Sequence, residues 1–272
     1  MNSTSSLLKR LQYLFNRHIV GRQYLTAYSA PYHTYFKFSI KDGIGKDIYY
    51  KWGVYSEDFI TRFILDQVGV ADSDFIIDIG ANIGWYSLTL SSKSQPTMIS
   101  FEPDPTNYAL LNENISLNKR TNIHPFNCAV ANAEGVMKLY LYKKYNQGRH
   151  SLIEGPKTKE YVEVKTIVLD KFLEEKGWAG KRIKLLKIDI EGFEFPALRG
   201  AAKTLARTDY VLSEFSPAIM EKINESPLNF IEFMESFGFR GYELLENRIQ
   251  KADFNKILAK KNEVNDIFWK RE

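Results

Sequence analysis

One cysteine, Cys128, in 272 residues excludes an internal disulfide and any zinc site built on cysteine thiolates. No stretch is apolar over the roughly 20 residues that a membrane-spanning helix needs. The N-terminus lacks the apolar core of a secretory signal, so cytoplasmic residence is the expectation. Asn2 and Asn114 head glycosylation-type triplets, which carry no weight without such a signal. Charge of one sign is scarce too: 37 Lys and Arg face 33 Asp and Glu, for a net +4. With no basic run interleaved with aromatics, nucleic acid is not an expected partner. What the chain does have is 44% hydrophobic and 14% aromatic residues. That is enough to bury the core of one large α/β domain with an appendage, with no second full domain.

The chain is organised around Asp74 to Leu90. An apolar run, Phe75 to Ile79, is broken only by Asp78 and enters Gly80-Ala-Asn-Ile-Gly84, after which Trp85 and Leu88 fall at helical spacing. That reads as strand, glycine turn, helix, with a ligand on the turn. A dinucleotide fingerprint would need a glycine where this chain has Asn82, so that the backbone could approach a pyrophosphate. Asp78, two residues before the turn, would repel phosphates and suits a ligand with sulfonium and ammonium charges. Glu102 ends a second β-rich run, Thr97 to Phe101, about 20 residues past the turn, where an acid can accept both ribose hydroxyls. Turn and acid at this spacing are the signature of an S-adenosylmethionine site.

In chain order, Leu7, Leu11, Leu14 and Phe15 form one apolar stripe on a basic N-terminal helix. It reads as a lid, a packing helix or a homodimer contact, or as a membrane-surface helix over residues 7–22. Tyr32 to Ile40 and Ile48 to Trp52 read as a hairpin, and Asp58 to Val68 as a helix. Residues 1–70 are thus an extension ahead of a domain spanning 71–272. Beyond Glu102, a helix is expected from Asn107 to Leu117, and a third strand from Asn122 to Val130 places Ala129 to grip an adenine. Cys128 reads as a buried small hydrophobe. Val136 to Tyr142 and Tyr161 to Thr166 read as extra strands around the polar loop Lys143 to Lys159, which holds Arg149 and His150 and could contact substrate.

A fourth core strand, from Ile183, ends in Asp189, Glu191 and Glu194. In a doubly wound sheet, ligands bind beyond the carboxyl ends of strands at the switch in strand order, which puts Asp189 near Asp78. Glu214, closing a fifth strand from Tyr210, falls on the same rim. Helix capping is the competing role for Glu191 and Glu194. A helix over Leu228 to Phe237 and strands at Tyr242 to Leu245 and Ile267 to Trp269 complete a seven-stranded sheet.

The run Asp78 to Ser87, Phe101-Glu-Pro103 with Asn107, Leu169-Asp170, Lys187-Ile-Asp-Ile-Glu-Gly-Phe-Glu194, Leu198-Arg-Gly200 and Glu214 resemble the FkbM-type methyltransferases over roughly residues 50 to 220. The resemblance implies a Rossmann-like class I methyltransferase sheet, S-adenosylmethionine as donor, and O-methylation of a sugar, glycan or secondary-metabolite hydroxyl. Candidate cofactor residues are Asp78, Gly80, Asn82, Gly84, Tyr86, Glu102, Pro103, Asn107, Ala129 and Asp189. Asp189 is the first candidate base, with His150 and Glu214 as further catalytic candidates. Asp189, Glu191 and Glu214 offer the hard oxygens a divalent cation would need, although the chemistry does not require one. A NAD-dependent oxidoreductase on the same fold, disfavoured by Asp78 and Asn82, and a non-catalytic S-adenosylmethionine-binding partner subunit are the readings from other classes.

Overall fold

The computed structural model describes residues 3–141, 150–155, 160–245 and 248–272. It opens with α1 (Ser3–His18), the hairpin β1 (Tyr24–Ser29) and β2 (Thr34–Ser39), α2 (Gly43–Tyr50) and α3 (Asp58–Phe63), which runs on as a wider turn to Val68. The hairpin therefore pairs Tyr24 with Ser39 and Ser29 with Thr34, not residues 32–40 with 48–52. The reason is the Asp42 side chain, which accepts from Ile44 N and Gly45 N and starts a helix where an aromatic-rich run suggests a strand. Gly45 then lets that helix lie on Phe38, since a Cβ there would come within 2.1 Å of the ring.

The main body follows as β3 (Phe75–Ile79), α4 (Trp85–Thr89), β4 (Thr97–Phe101), α5 (Pro105–Leu117), β5 (Ile123–Phe126), β6 (Ala129–Val130), β7 (Gly135–Tyr140) and β8 (Tyr161–Ile167). After α6 (Leu169–Glu175) come β9 (Ile183–Ile188), α7 (Glu194–Arg199), α8 (Ala202–Leu205), β10 (Thr208–Phe215), α9 (Pro217–Lys222) and α10 (Pro227–Ser236). β11 (Phe239–Leu245), β12 (Arg248–Lys251), α11 (Phe254–Ala259) and β13 (Asn265–Arg271) close the chain. Eight strands form one sheet in the order β12-β11-β13-β10-β9-β3-β4-β5. They are the seven expected strands plus β12, an edge partner of β11. The expected strand over 122–130 divides: β5 stays in the main sheet, while β6 pairs with β8 in a separate sheet of three with β7. Among the described residues no helix is long and apolar enough to cross a membrane.

Strand order reverses between β3 and β9, which are parallel neighbours, so the crevice expected at a switch point opens above their carboxyl ends. The side-chain period of two assigns each residue to a face. Phe75, Ile77, Ile79, Leu186 and Ile188 pack into one core layer with α7 and α10. Ile76 and Leu185 pack into the other, with Phe36, Phe38, Ile48, Ile60, Trp85 and Leu88. The hairpin, α2 and α3 thus share a core with the first strand of the main body. At the far side, Trp269 is fully buried, stacks on Phe254 and donates from its ring N–H to Ser213 Oγ at 3.0 Å. Trp269→Ala is expected to destabilise the fold by about 3–5 kcal/mol, read as a lower urea midpoint with an unchanged slope.

Candidate active site

β3 ends in the turn Gly80 to Gly84. Phe101 O at the end of β4 accepts from both Gly80 N and Ala81 N at 2.9 Å, which pins the turn to the next strand. Gly80 and Gly84 have φ of +80° and +96°, a region that favours glycine. Their bareness serves the chain rather than a ligand: a Cβ on Gly80 would meet Asp189 O at 2.0 Å, and one on Gly84 would meet the Leu111 side chain at 2.7 Å. Asn82 holds φ of +51° without being glycine, its Oδ1 accepting from Ile83 N at 2.8 Å. Glu191 on the facing loop has φ of +56°, and Glu194 shapes that loop by accepting from Ile190 N and Gly192 N. Glu194 is therefore a loop clamp, as the capping role allows. Two strained non-glycine residues face one crevice, a pattern that tertiary structure sustains at functional sites.

That crevice has a volume of about 610 Å³, counting its solvent-open mouth. Of the sequence candidates, it is lined by Gly80, Asn82, Tyr86, Glu102, Pro103, Asn107, His150, Asp189 and Glu191. An apolar slot joins it at Gly80, Pro103, His150 and Ile190 and runs past Phe101, Cys128, Ala129 and Leu139. Ala129 is in the slot, and Cys128 is a buried hydrophobe whose thiol burial pushes up to about 11. Gly84 and Glu214 line neither space. Asp170 caps α8, accepting from Lys203 N and Thr204 N, away from the crevice. Arg149 lies outside the described residues.

Asp78 also lines neither space. It is buried on the α4 side of the sheet, where Ser87 Oγ donates to it at 2.5 Å. The crevice instead presents Lys187, the register partner of Asp78 on β9. Lys187 Nζ donates to Gly80 O at 3.0 Å and lies 3.6 Å from both Asp78 and Asp189. Burial opposes its charge, but Asp189 and Asp78, with Glu57 and Glu102 behind them, outweigh that and raise its pKa.

Sequence reading also missed Tyr55 and Glu57, which the segment between α2 and α3 brings to the crevice wall. Glu57 accepts from Tyr55 OH and Tyr86 OH, both at 3.0 Å. Burial, then the Asp189 charge, raise its pKa. Glu102 accepts from Asn82 N at 2.8 Å and Asp104 N at 2.9 Å, yet burial pushes its carboxyl up to about 8. His150 stands 3.9 Å from Asp104 and burial lowers its pKa, so its imidazole is neutral near pH 7. Asp189, 42% exposed at its side chain, is the open carboxylate of the group. Glu214, half-buried on the rim, has its pKa raised by desolvation and then by Asp189. Among the described residues no three His, Cys, Asp or Glu side chains, the candidates Asp189, Glu191 and Glu214 included, converge as a metal site.

A family model described as the methyltransferase FkbM domain matches residues 78–240. Methyltransferase sdnD of Sordaria araneosa is 30% identical, over 54% of this chain and 67% of its own. Hexuronic acid methyltransferase AglP of Haloferax volcanii is 27% identical, over 61% of this chain and 65% of its own. The chain spans about two thirds of the length of the curated relatives it matches. Among solved structures, a precorrin-6y C5,15-methyltransferase from Geobacter metallireducens aligns with a TM-score of 0.44 and 10% identity, over 80% of this chain and 91% of that one.

Lys187→Met would keep the apolar stem and strand Asp78 without a counter-charge. A loss of roughly 3–5 kcal/mol is expected, the cost of breaking a buried pair, measured by urea unfolding near pH 7. Wild-type stability in this variant would show that Lys187 does not hold the crevice together.

Proposed function

The chain belongs to the FkbM methyltransferase family, and from that premise we propose that it transfers a methyl group from S-adenosylmethionine to a hydroxyl of a sugar. One observation carries the reading: among the described residues, four carboxyl groups, Glu57, Glu102, Asp189 and Glu191, line the crevice against one lysine. Such a wall suits a cation and repels a pyrophosphate, which also weighs against a nicotinamide dinucleotide. When bound, S-adenosylmethionine supplies an electrophilic methyl on a positively charged sulfur.

The residues divide the remaining work. The apolar slot past Ala129 suits a flat heterocycle, and Glu102 accepts ribose hydroxyls. Asp189, beyond the carboxyl end of β9, takes the proton of the sugar hydroxyl, and neutral His150 is the second group able to do so. Tyr55 lines both the crevice and a wider groove that includes Lys51, Arg62, Phe63, Leu245 and Arg248. β11 runs parallel to β10, both being antiparallel to β13, so this groove lies along the same carboxyl rim. We assign it to the acceptor, with residues 1–70 as the segment that closes over it. The name of the hexuronic acid methyltransferase relative and the Arg248 guanidinium favour an acidic sugar; Arg62 is already paired with Asp58.

Two outcomes test this reading. Glu102, with its pKa at about 8, is protonated in the free protein below that pH and must ionise to accept from both ribose hydroxyls. Affinity for S-adenosylmethionine is therefore expected to rise with pH and level off above about 8, with proton release seen by calorimetry in buffers of different ionisation enthalpy; pH-independent binding would contradict it. With labelled donor at saturation and hexuronic acid glycans as acceptors, Asp189→Asn is expected to lower kcat roughly 100- to 10,000-fold. Unchanged turnover would remove Asp189 as the base.

A further inference from the structure

α1 docks by the face that its apolar periodicity leaves out. Tyr13 is buried, with its hydroxyl donating to Ile40 O, and Lys9 lies over the rings of Tyr49 and Trp52. Leu11 and Phe15 sit roughly opposite Tyr13 at 100° per residue, with Leu14 on the flank between. With Ile19 and Val20 just beyond the helix, they are 46% to 73% exposed. One exposed leucine means nothing, but five neighbouring large apolar residues mark an interaction surface.

Charge identifies the occupant. Residues 1–41 contain six Lys and Arg and no Asp or Glu; Lys9 and Arg10 lie over rings on the docked side and Lys37 is paired with Glu113, while Arg22 and Lys41 are exposed. At the C-terminal end of α1, a groove is lined by Arg17, His18, Arg22 and Lys41 without a carboxylate. A second copy of the chain meeting this face would set like charge against like. Nucleic acid would have no use for an aliphatic stripe. A bilayer with anionic headgroups satisfies both features, taking the stripe into its acyl boundary and the cations at its phosphates.

We propose that α1 and the residues up to Arg22, with Lys41, dock the protein on an anionic lipid bilayer. The test is sedimentation of the full chain with vesicles of phosphatidylcholine alone or with phosphatidylglycerol added. Binding is expected only with the anionic lipid and should weaken as salt is raised. Leu14→Glu with Phe15→Glu, and separately Arg22→Glu with Lys41→Glu, should each weaken it about tenfold or more. All four side chains are solvent-facing, so thermal midpoints should match the parent; if a Glu pair lowers its midpoint, Leu14→Ser with Phe15→Ser replaces it. Equal pelleting with both lipids, parent-like binding by both variants, or a lipid-free dimer in sedimentation velocity that the Leu14 and Phe15 variant dissociates would each overturn the proposal. None of these readouts depends on methyl transfer.

Discussion

A lysine buried between two strands holds the crevice in shape. Lys187 ties the end of β9 to the first turn of β3 through Gly80 O, and its charge is balanced by Asp78 beneath and Asp189 above. Among the described residues, Asp78 Oδ1 has no hydrogen bond of its own, so the ammonium 3.6 Å away is what makes its burial tolerable. Because Gly80 packs directly on Asp189 O, any movement of β9 against β3 would disturb the glycine turn and the open carboxylate together.

The same lysine leaves the crevice electrically incomplete. Asp78 and Asp189 already claim its charge, while Glu57 and Glu102 keep raised pKa values because burial penalises their ionised forms. A site in this condition favours a cationic guest, whose arrival relieves repulsion and allows carboxyls to ionise. Tyr55 and Tyr86 hold Glu57 by its two oxygens, so the wall is organised before any ligand enters.

The position of Asp78 shows what sequence reasoning left out. An acid two residues before a ligand turn reads as a ligand contact, yet the period of two places it on the side of Ile76, under α4, with Ser87. A usable signal was present: two core strands each carried a charge set between apolar neighbours, of opposite sign, Asp78 between Ile77 and Ile79 and Lys187 between Leu186 and Ile188. Charges that deep require partners, and the parallel register sets them side by side. Glu57 offered no such signal, because nothing local in Tyr55-Ser-Glu57 marks a wall residue. The N-terminal hairpin was misplaced for a related reason: one capping aspartate, Asp42, outweighed a β-prone aromatic run.

Local chemistry in the chain determined the order of the main strands and helices, the glycine turn, the acid closing β4, and the family, since these rest on short-range periodicity and on motifs whose spacing is a property of the backbone. Tertiary structure alone decided which carboxylates face the crevice, that a lysine stands among them, and that α1 turns Leu11, Leu14 and Phe15 to solvent. Those outcomes depend on strand register and on packing between residues far apart in the chain, as in the 107 positions separating Lys187 from Gly80. No local pattern encodes that distance.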